Sequence, residues 1–380
     1  MRINKEALSK YNTGIEKSRL RTDIGQLEWE RSREVLLEQL PPPPAAIYDI
    51  GGGYGEYAYW LASLGYQVYL YDMAQANIEL SSSLQAEYPG IFLREAAVAD
   101  ARSIPRPEGS ADAVLLMGPL YHLPEKEDRL AALQEARRLL KPGGKLFAAA
   151  ITRLATLLWA VTAYGEQNDL LEEEAFCEMI RRELEDGQHI PPDNSAYRGM
   201  SRSFFHEPEE LAGELMQAGF QDADVRGILG SAWLAPHFSE AWREEKRKAA
   251  LLSVARLTER DPSLLSLSTH LLAVAAKPAV PKKQFAFLLM GEQYDPARHL
   301  ARFETSRQVT SIYTVRSLKE AESLVKRLEA EGVGAIELCG AFGEAGAAEL
   351  TRLTGGRIAV GYVTHAPEMT SLVEAFFTDF

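Results

Sequence analysis

The chain has 380 residues, enough for two domains, and its content of 46% hydrophobic and 25% charged residues is ordinary for a globular protein. Its net charge of −13 argues against DNA or RNA as a partner, because proteins that bind nucleic acids usually present a basic face to the phosphates. The polar first residues predict no signal peptide, and no apolar stretch reaches the roughly 18 residues of a membrane span.

The two cysteines, Cys177 and Cys339, lie far apart in the sequence and predict neither a disulfide framework nor a clustered metal site. No cluster of histidine, cysteine and carboxylate residues predicts a structural zinc site either. We therefore expect a cytoplasmic protein that holds no metal and does not associate with membranes.

The first predicted element is a helix at about Asp23–Leu40, which four consecutive prolines at 41–44 bring to an end. A second interruption is the Pro- and Lys-rich stretch 278–284, whose composition is typical of a linker. These interruptions predict an N-terminal helical segment at 1–44, a domain at 45–277 and a smaller domain at 285–380.

Strands and helices alternate after the prolines, and this alternation implies a parallel sheet with helices on both faces. Ligands of such sheets bind beyond the carboxyl ends of the strands. The predicted strands are Ala45–Ile50, Gln67–Tyr71, Phe92–Ala97, Ala113–Met117 and Lys145–Ile151, and the predicted helices are Tyr57–Leu64, Ala76–Tyr88 and Lys126–Leu140.

The rest of this domain contains two inserts, at about 152–205 and 231–260, that we expect to form a helical lid. The second insert includes a long amphipathic helix at about Glu240–Arg260. Strands near Asp224–Ile228 and at His270–Ala276 are expected to complete a seven-stranded sheet as an antiparallel edge. The fold class is therefore α/β, with a Rossmann-like, mostly parallel sheet.

The strongest functional signal is the sequence YDIGGGYGE, which follows the first strand and precedes a helix. Gly51, Gly53 and Gly55 allow a sharp turn and a close approach of backbone to ligand, and the N-terminus of the next helix favours an anionic group. A dinucleotide fingerprint would place a third glycine at position 56, where Glu56 is a poor neighbour for a pyrophosphate. A tight strand-to-helix turn without a ligand is the structural alternative.

Three further signals follow the next strands of the predicted sheet. Asp72 ends the second strand, where a carboxylate can accept hydrogen bonds from both hydroxyls of a ribose. Asp100 follows the third strand, where it can accept a hydrogen bond from an adenine amino group or simply cap a loop. The run from Met117 to His122 ends the fourth strand and supplies carbonyls, an aromatic ring and an imidazole.

Taken in order, these motifs resemble those of class I methyltransferases that use S-adenosylmethionine (SAM). The motifs are YDIGGGYGEYAYWLASLGYQVYLYDMA, VADARSIP, DAVLLMGPLYHL and EARRLLKPGGKLFAAAI, and the resemblance covers residues 10–277. The upstream sequence GQLEWERSREVLLEQLPPPP is similar to the helix that precedes the first strand in a bacterial subgroup acting on small molecules.

The resemblance implies SAM as the cofactor, S-adenosylhomocysteine (SAH) as its product and a small-molecule methyl acceptor. The cofactor-binding residues that the resemblance implies are Tyr11, Glu28, Arg31, Asp49, Gly51, Gly52, Gly53, Gly55, Asp72, Met73, Asp100, Ala101, Met117, Gly118 and Leu120. An alternative for Glu28 and Arg31 is a surface pair three residues apart on a helix.

Methyl transfer from a sulfonium is an in-line displacement in which the protein mainly aligns the nucleophile and excludes water. A base is needed only if the acceptor must lose a proton. His122, beside Tyr121, is the first candidate for it and His206 the second, while a loop-shaping or helix-capping role is the alternative for each. The inserts supply aromatic residues, of which we expect a minority to line an acceptor pocket, and a place in the helix cores is the alternative for the others: Trp159, Tyr164, Phe176, Tyr197, Phe204, Phe205 and Trp233.

The C-terminal segment predicts a small α/β sandwich that looks similar to an uncharacterised bacterial domain also found alone. Its most site-like feature combines Glu337, Cys339 and the loop that begins at Gly340. We expect this domain to regulate the protein or to join two copies of it. Its predicted strands are Phe285–Met290, Thr310–Val315, Ala335–Cys339 and Arg357–Tyr362.

Three functions remain open on the sequence alone. The first is a methyltransferase that acts on a small molecule at oxygen, nitrogen or sulfur. The second is a non-catalytic sensor of SAM or SAH that keeps the methyltransferase fold. The third, an NAD-type oxidoreductase, is disfavoured by the displaced third glycine.

Overall fold

The computed structural model describes residues 8, 9, 11, 19–197, 199–305 and 307–378 of the chain. The chain divides into two compact units between Ala279 and Val280, inside the Pro- and Lys-rich stretch. Within the described ranges, no helix has both the length and the apolar character needed to cross a membrane.

The first unit is built on a seven-stranded sheet with the order β3-β2-β1-β4-β5-β9-β8. Five neighbouring strands run parallel, and β9 is antiparallel to both β5 and β8. The strands are β1 Ala46–Ile50, β2 Gln67–Asp72, β3 Glu95–Val98, β4 Ala111–Leu116, β5 Leu140–Ile151, β8 Gln221–Gly227 and β9 His270–Ala276.

Helices and a short hairpin complete the first unit. The hairpin pairs β6 Gln188–His189 with β7 Ser203–Phe204 in antiparallel fashion. The helices are α1 Asp23–Gln39, α2 Glu56–Ser63, α3 Gln75–Leu84, α4 Lys126–Leu139, α5 Ala155–Ala163, α6 Glu174–Asp186, α7 Pro208–Gln217, α8 Phe238–Arg243 and α9 Glu245–Thr258.

Both faces of the large sheet are buried, as the alternation of strands and helices predicts. On one face, Ile47 of β1 belongs to a core with Leu36 of α1 and Leu61 of α2. On the other face, Tyr48 and Ile50 of the same strand pack in a core with residues of α4 and α7. Successive residues of a strand point to opposite faces, so this single strand contributes to both cores.

Strands β8 and β9 complete the sheet beyond β5, as expected, and β9 is antiparallel to both of its neighbours. The structure corrects two other details of the predicted elements. The single helix expected at Glu240–Arg260 is divided into α8 and α9, because Glu244 adopts an extended conformation between them. The first insert, expected to be helical, also contains the β6–β7 hairpin.

The second unit contains a five-stranded sheet with the order β11-β12-β10-β13-β14. Its strands are parallel except for β11, an edge strand that the sequence did not predict. The elements are β10 Lys283–Met290, β11 Ala301–Glu304, β12 Gln308–Val315, α10 Leu318–Ala330, β13 Val333–Leu338, α11 Gly343–Thr354, β14 Ala359–Tyr362 and α12 Thr370–Thr378.

The second unit has a hydrophobic core of its own. Leu288 and Ile336 from the sheet are buried with Val325 of α10 and Leu350 of α11. Since helices α10 and α11 share this core with alternate strand residues, they cover one face of the sheet.

Candidate functional site

A cavity lies at the edge of the large sheet where the parallel strands β1, β2, β3 and β4 end. Most of the residues expected at the cofactor site line it: Tyr11, Asp49, Gly51, Gly52, Gly53, Asp72, Met73, Asp100, Ala101, Met117, Gly118, Tyr121 and His122. The lining also includes residues that the sequence did not predict to bind the cofactor: Leu8, Arg19, Leu20, Tyr54, Glu56, Tyr57, Ala74, Asn77, Ala99, Arg102, Pro119 and Leu123.

The glycine-rich loop after β1 requires glycine for reasons of space and backbone conformation. Gly51 has a φ of +69°, and a Cβ there would lie 2.4 Å from Cγ of Pro119. A Cβ on Gly52 would lie 2.4 Å from Oδ2 of Asp49. A side chain at either position would therefore collide with the loop after β4 or with the buried carboxylate.

Asp72, at the end of β2, is buried and ties the glycine loop to the start of α3. Its Oδ2 accepts a hydrogen bond of 2.9 Å from the Gly53 amide. Its Oδ1 accepts from the Ala74 amide at 2.8 Å and from Nδ2 of Asn77 at 3.0 Å. Burial raises the pKa of Asp72, and these three hydrogen bonds act in the opposite direction.

Asp49, near the end of β1, carries a buried carboxylate with an unsatisfied oxygen. Only 2% of the residue is exposed, and its Oδ2 has no hydrogen-bond partner among the described residues. Burial, with a smaller contribution from the charge of Asp72, raises the pKa of Asp49 to about 7. Such a group favours a cationic or donor group in the adjoining cavity.

Asp100, after β3, is held by its neighbour Arg102. Nε and Nη2 of Arg102 donate to Oδ1 and Oδ2 of Asp100 at 2.9 and 2.6 Å. Nη1 of the same guanidinium donates to Oδ1 of Asp128 in α4 at 2.7 Å. Burial opposes ionisation of Asp100, but the hydrogen bonds from Arg102 outweigh it and lower the pKa of Asp100.

An aromatic cluster lies at the end of the cavity formed by the loop after β4. The hydroxyl of Tyr11 is 2.6 Å from Nε2 of His122, and the two rings meet edge to face. Tyr121 packs against the same imidazole at a centroid distance of 4.6 Å. Tyr121 also belongs to a small core with Phe205 and Ile151, which connects this cluster to the first insert.

Arg19 is a basic residue of the N-terminal segment that lines the cavity. Its Nη1 donates to Oε2 of Glu28 at 2.7 Å, and Nε2 of His270 lies 3.8 Å from the same carboxylate oxygen. Burial alone would raise the pKa of Glu28, but the charges of Arg19 and His270 outweigh burial and lower this pKa. Glu28 therefore holds Arg19 beside the cavity.

Arg31 and Glu28 are not among the residues that line the cavity, and they do not pair with each other. Arg31 forms ion pairs with Glu34 of its own helix and with Glu259, just beyond α9. Arg31 and Glu259 are both buried, so the pair connects α1 to the second insert. The alternative of a surface pair does not hold either, because both predicted partners are buried.

His206 also lies outside the cavity lining, in a buried cluster. Its Nε2 is 3.3 Å from Oε2 of Glu214, whose carboxylate accepts from both Nε and Nη2 of Arg129. Arg129 donates in addition to the carbonyls of Leu123 and Pro124, immediately after His122. Burial lowers the pKa of His206, and the cluster braces the loop that carries the aromatic residues.

Two other predicted residues, Gly55 and Leu120, do not line the cavity but pack beneath it. Gly55 has a φ of +97° and is the N-cap of α2, and a Cβ there would lie 3.0 Å from Leu70. Leu120 is fully buried in the core beneath the loop after β4. Among the residues that the structure describes, no group of three or more histidine, cysteine or acidic residues could hold a metal ion.

The lining residues that sequence reasoning missed differ in how far a local pattern could have indicated them. Arg102 lies two residues after Asp100, inside a motif already recognised. Asn77 lies in the first turn of α3, where a side chain can reach back to the preceding strand end. Arg19 precedes α1 in a stretch without periodicity, so its place beside the cavity depends on the tertiary structure.

The fold and the site together define a Rossmann-like protein with a ligand cavity at the carboxyl ends of its parallel strands. Residues 48–148 match a family model described as a methyltransferase domain. The ubiquinone biosynthesis O-methyltransferase of Xanthomonas axonopodis is 32% identical over 206 residues, which cover 53% of this chain and 72% of that protein. A ubiquinone/menaquinone biosynthesis C-methyltransferase of Acidiphilium cryptum is 28% identical over 205 residues, or 53% and 76% of the two chains.

The chain belongs to the class I SAM-dependent methyltransferases, and its cofactor is SAM. A solved SAM-dependent methyltransferase from Methanosarcina mazei is 19% identical, with a TM-score of 0.43, and the match covers 64% of this chain and 97% of that one. In the second unit, residues 283–378 match a family of unknown function, DUF6506.

The residues at the cavity fit SAM. The glycine loop leaves room for a ligand to approach the backbone, since a Cβ on Gly53 would meet nothing within 4 Å. The unsatisfied oxygen of Asp49 suits an ammonium group, and the guanidinium of Arg19 suits a carboxylate. SAM carries both of these groups on its methionine portion.

Proposed function

We propose that this methyltransferase transfers the methyl group to a small molecule at oxygen, nitrogen or sulfur. The observation that carries the proposal is the contact of 2.6 Å between the Tyr11 hydroxyl and Nε2 of His122 at one end of the cofactor cavity. The phenol of Tyr11 and the imidazole of His122 can exchange a proton, and in our proposal the methyl acceptor approaches them at this end of the cavity. The relatives named as ubiquinone-biosynthesis methyltransferases support an acceptor of this size.

We propose that the strand ends divide the recognition of SAM among them. Asp72 accepts a hydrogen bond from a ribose hydroxyl at the remaining position on Oδ2, and Asp100 accepts one from the adenine amino group. Asp49 and Arg19 bind the ammonium and carboxylate groups of the methionine portion. In this assignment Arg19 takes the position that the sequence suggested for Arg31, because Arg19 lines the cavity and Arg31 does not.

When bound, SAM supplies a methyl group on a positively charged sulfonium, which is already a strong electrophile. In our proposal, the imidazole of His122 accepts the proton that a hydroxyl, amine or thiol acceptor loses. The phenol of Tyr11 occupies Nε2 in this structure, so the acceptor takes its place or passes its proton through it. Tyr121 holds the imidazole by ring packing, and the first insert excludes water.

Two further proposals concern the whole chain. We propose a cytoplasmic location, because both cysteines are free thiols. We also propose that the second unit joins two copies of the chain. Its exposed apolar residues Phe303 and Leu372 support this role.

Calorimetric titration with SAM and SAH, with NAD as the control, tests the cofactor site. We expect micromolar binding of the first two and none of NAD, and no binding of SAM would contradict the proposal.

An acceptor screen by mass spectrometry follows, with phenols, amines and thiols as separate sets. Turnover of any set separates an enzyme from a sensor, and loss of that turnover in His122→Ala with SAM binding retained supports the proton-accepting role.

Replacing Asp72 tests the proposed ribose contact directly. We expect Asp72→Ala to weaken SAM binding by about tenfold or more, since a hydrogen bond to a charged group contributes about 1.5–3 kcal/mol. Asp112→Ala is the matched control, because Asp112 accepts a hydrogen bond from the Ala46 amide at the opposite end of the strands. Unchanged affinity in a folded Asp72→Ala protein would remove Asp72 from the site.

A further inference from the structure

Asp100 is unusual among the carboxylates of the cavity because its hydrogen-bonding capacity is nearly filled by one neighbouring residue. Its Oδ1 accepts from the backbone amide and from Nε of Arg102, both at 2.9 Å. Its Oδ2 accepts from Nη2 at 2.6 Å. A carboxylate oxygen has two lone-pair positions, so the bonds from described residues leave one position on Oδ2.

Arg102 is itself fixed on both sides. Its side chain is only 1% exposed, and Nη1 donates to Oδ1 of Asp128 at 2.7 Å. Asp128 lies in the first turn of α4, so the guanidinium is anchored to a helix. The planar fork of arginine forms two parallel bonds with Asp100, an arrangement that a lysine cannot reproduce.

We propose that Arg102, anchored by Asp128, is a positioning residue that holds the Asp100 carboxylate ready for one donor and thereby selects adenosyl over inosyl ligands. The inference rests on the proposed placement of adenine beside Asp100. An adenine presents an amino group, which can donate to the open position on Oδ2. An inosine base presents a carbonyl there and carries its hydrogen on the neighbouring ring nitrogen.

The difference between the two bases makes the rigidity of Asp100 measurable. A carboxylate held by the fork cannot turn toward the ring N–H of inosine, so its oxygen opposes the inosine carbonyl. Without the fork the carboxylate can rotate and hydrate, and it can then accept from either base. Without the fork, the preference for adenosyl over inosyl ligands should fall even if the site still binds the rest of the ligand.

Titration calorimetry with SAH and S-inosylhomocysteine tests the proposal on the full chain without any methyl acceptor. We expect the wild-type protein to bind SAH about 50-fold more tightly than the inosyl compound, the range set by one hydrogen bond to a charged group. In Arg102→Lys, which keeps the charge and loses the fork, we expect the ratio to fall below about fivefold. Arg106→Met is the matched control on the same loop, because Arg106 pairs with Glu95 and does not line the cavity.

The ratio of the two affinities separates a positioning role of Arg102 from a merely structural one. A ratio that stays at the wild-type value in Arg102→Lys, with both ligands weakened equally, overturns the proposal because it shows that Arg102 only supports the fold of the loop. If Arg102→Lys fails to fold, Asp128→Asn carries the test: a reduced ratio supports the anchoring and an unchanged one overturns it.

Asp100→Asn distinguishes the failure of this inference from the failure of the proposed site. An amide can donate to the inosine carbonyl, so we expect this variant to lose or reverse the preference for SAH. If its ratio stays at the wild-type value, adenine does not lie beside Asp100 and the proposed placement fails. If the ratio changes there but not in Arg102→Lys, the placement stands and the role of Arg102 is overturned.

Discussion

At the scale of single residues, the structure places Arg31 away from the cavity where the sequence suggested it, and it places Arg19 beside that cavity. Arg31 lies in a helix that resembles a cofactor-flanking element, yet it pairs with Glu34 and Glu259. Arg19 lies outside any recognised pattern, yet it lines the cavity and is held by Glu28. Arg31 points from α1 toward Glu259, whereas Arg19 precedes the helix and lies beside the cavity.

The different positions of Arg19 and Arg31 yield a prediction with a matched pair of variants. We expect Arg19→Met to weaken SAM binding by about tenfold with a small change in stability, since it removes one charged contact to ligand. We expect Arg31→Met to lower the free energy of unfolding by about 3 kcal/mol, because Glu259 loses a partner in a buried site, and to leave SAM affinity nearly unchanged. Calorimetric titration and urea unfolding measure the two effects, and the opposite pattern would restore Arg31 to the cofactor site.

The raised pKa of Asp49 predicts that cofactor binding depends on pH. The pKa is about 7 in the protein without cofactor, so the carboxyl is neutral below pH 7 and charged above it. An ammonium group binds the charged form, so SAH affinity should rise with pH up to about 7, by at most tenfold per unit, and then level off. Proton release on binding, measured by calorimetry in buffers of different ionisation enthalpy, checks the sign.

Asp49→Asn provides the control for this pH dependence, because an amide does not titrate. The variant should bind SAH with an affinity that is weaker and nearly constant between pH 6 and pH 8, and a pH dependence that persists would assign it to another group. In the protein without cofactor the same shift acts on stability. The unfolded chain loses this proton near the ordinary pKa of 3.8, so the contribution of Asp49 to the free energy of unfolding falls as the pH rises from there to about 7.

At the scale of elements, the buried pair of Arg129 in α4 and Glu214 in α7 joins two helices to the loop after β4. Arg129 is 1% exposed, and it donates both to Glu214 and to the carbonyls of Leu123 and Pro124. Burial opposes the charge on Glu214, but the hydrogen bonds from His206 and Arg129 lower the pKa of Glu214 to about 2. The stability that this carboxylate contributes is therefore present above its ordinary pKa of 4.5 and lost as the pH falls toward 2.

Breaking this pair should be more damaging than replacing it. We expect Glu214→Leu to lower the free energy of unfolding by about 3–5 kcal/mol, because it leaves the guanidinium of Arg129 buried without its carboxylate. The double variant Arg129→Met with Glu214→Leu should recover much of that loss, since two apolar residues need no partner. Urea unfolding of the two single variants and the double variant measures the coupling, and additive losses would contradict it.

At the scale of the whole molecule, the two units have separate hydrophobic cores, one on each side of the division between Ala279 and Val280. A chain that ends at Ala279 should therefore fold and bind SAM as the full chain does. We expect calorimetry of the full chain to show two unfolding transitions. SAH at 100 times its Kd should raise the free energy of unfolding of the first unit by about 2.7 kcal/mol and leave the other transition in place.

Two results would contradict this independence. An insoluble chain ending at Ala279 would show that the first core depends on the second unit. A single transition that shifts as a whole with SAH would show that the two units unfold together. The isolated segment 280–380 should in turn keep the helix and strand content of its five-stranded sheet, which circular dichroism measures.

The sequence by itself determined the fold class, the order of the cofactor motifs and the residues next to the strand ends. These features are local: Gly51, Asp72 and Asp100 lie at or just after the ends of strands, and the carboxyl ends of parallel strands meet at one edge of the sheet. Periodicity and punctuation are enough to locate such residues. The extended residue Glu244, which divides one predicted helix in two, is marked by no such signal.

Only the tertiary structure decided which side chains from distant segments meet. Arg129 and Glu214 are 85 residues apart, and Arg31 and Glu259 are 228 residues apart. No local pattern predicts such contacts, because the packing of several helices determines which charged groups lose water and must find partners. The same packing turns His206 toward Glu214 rather than the cavity and brings Arg19 into the cavity lining.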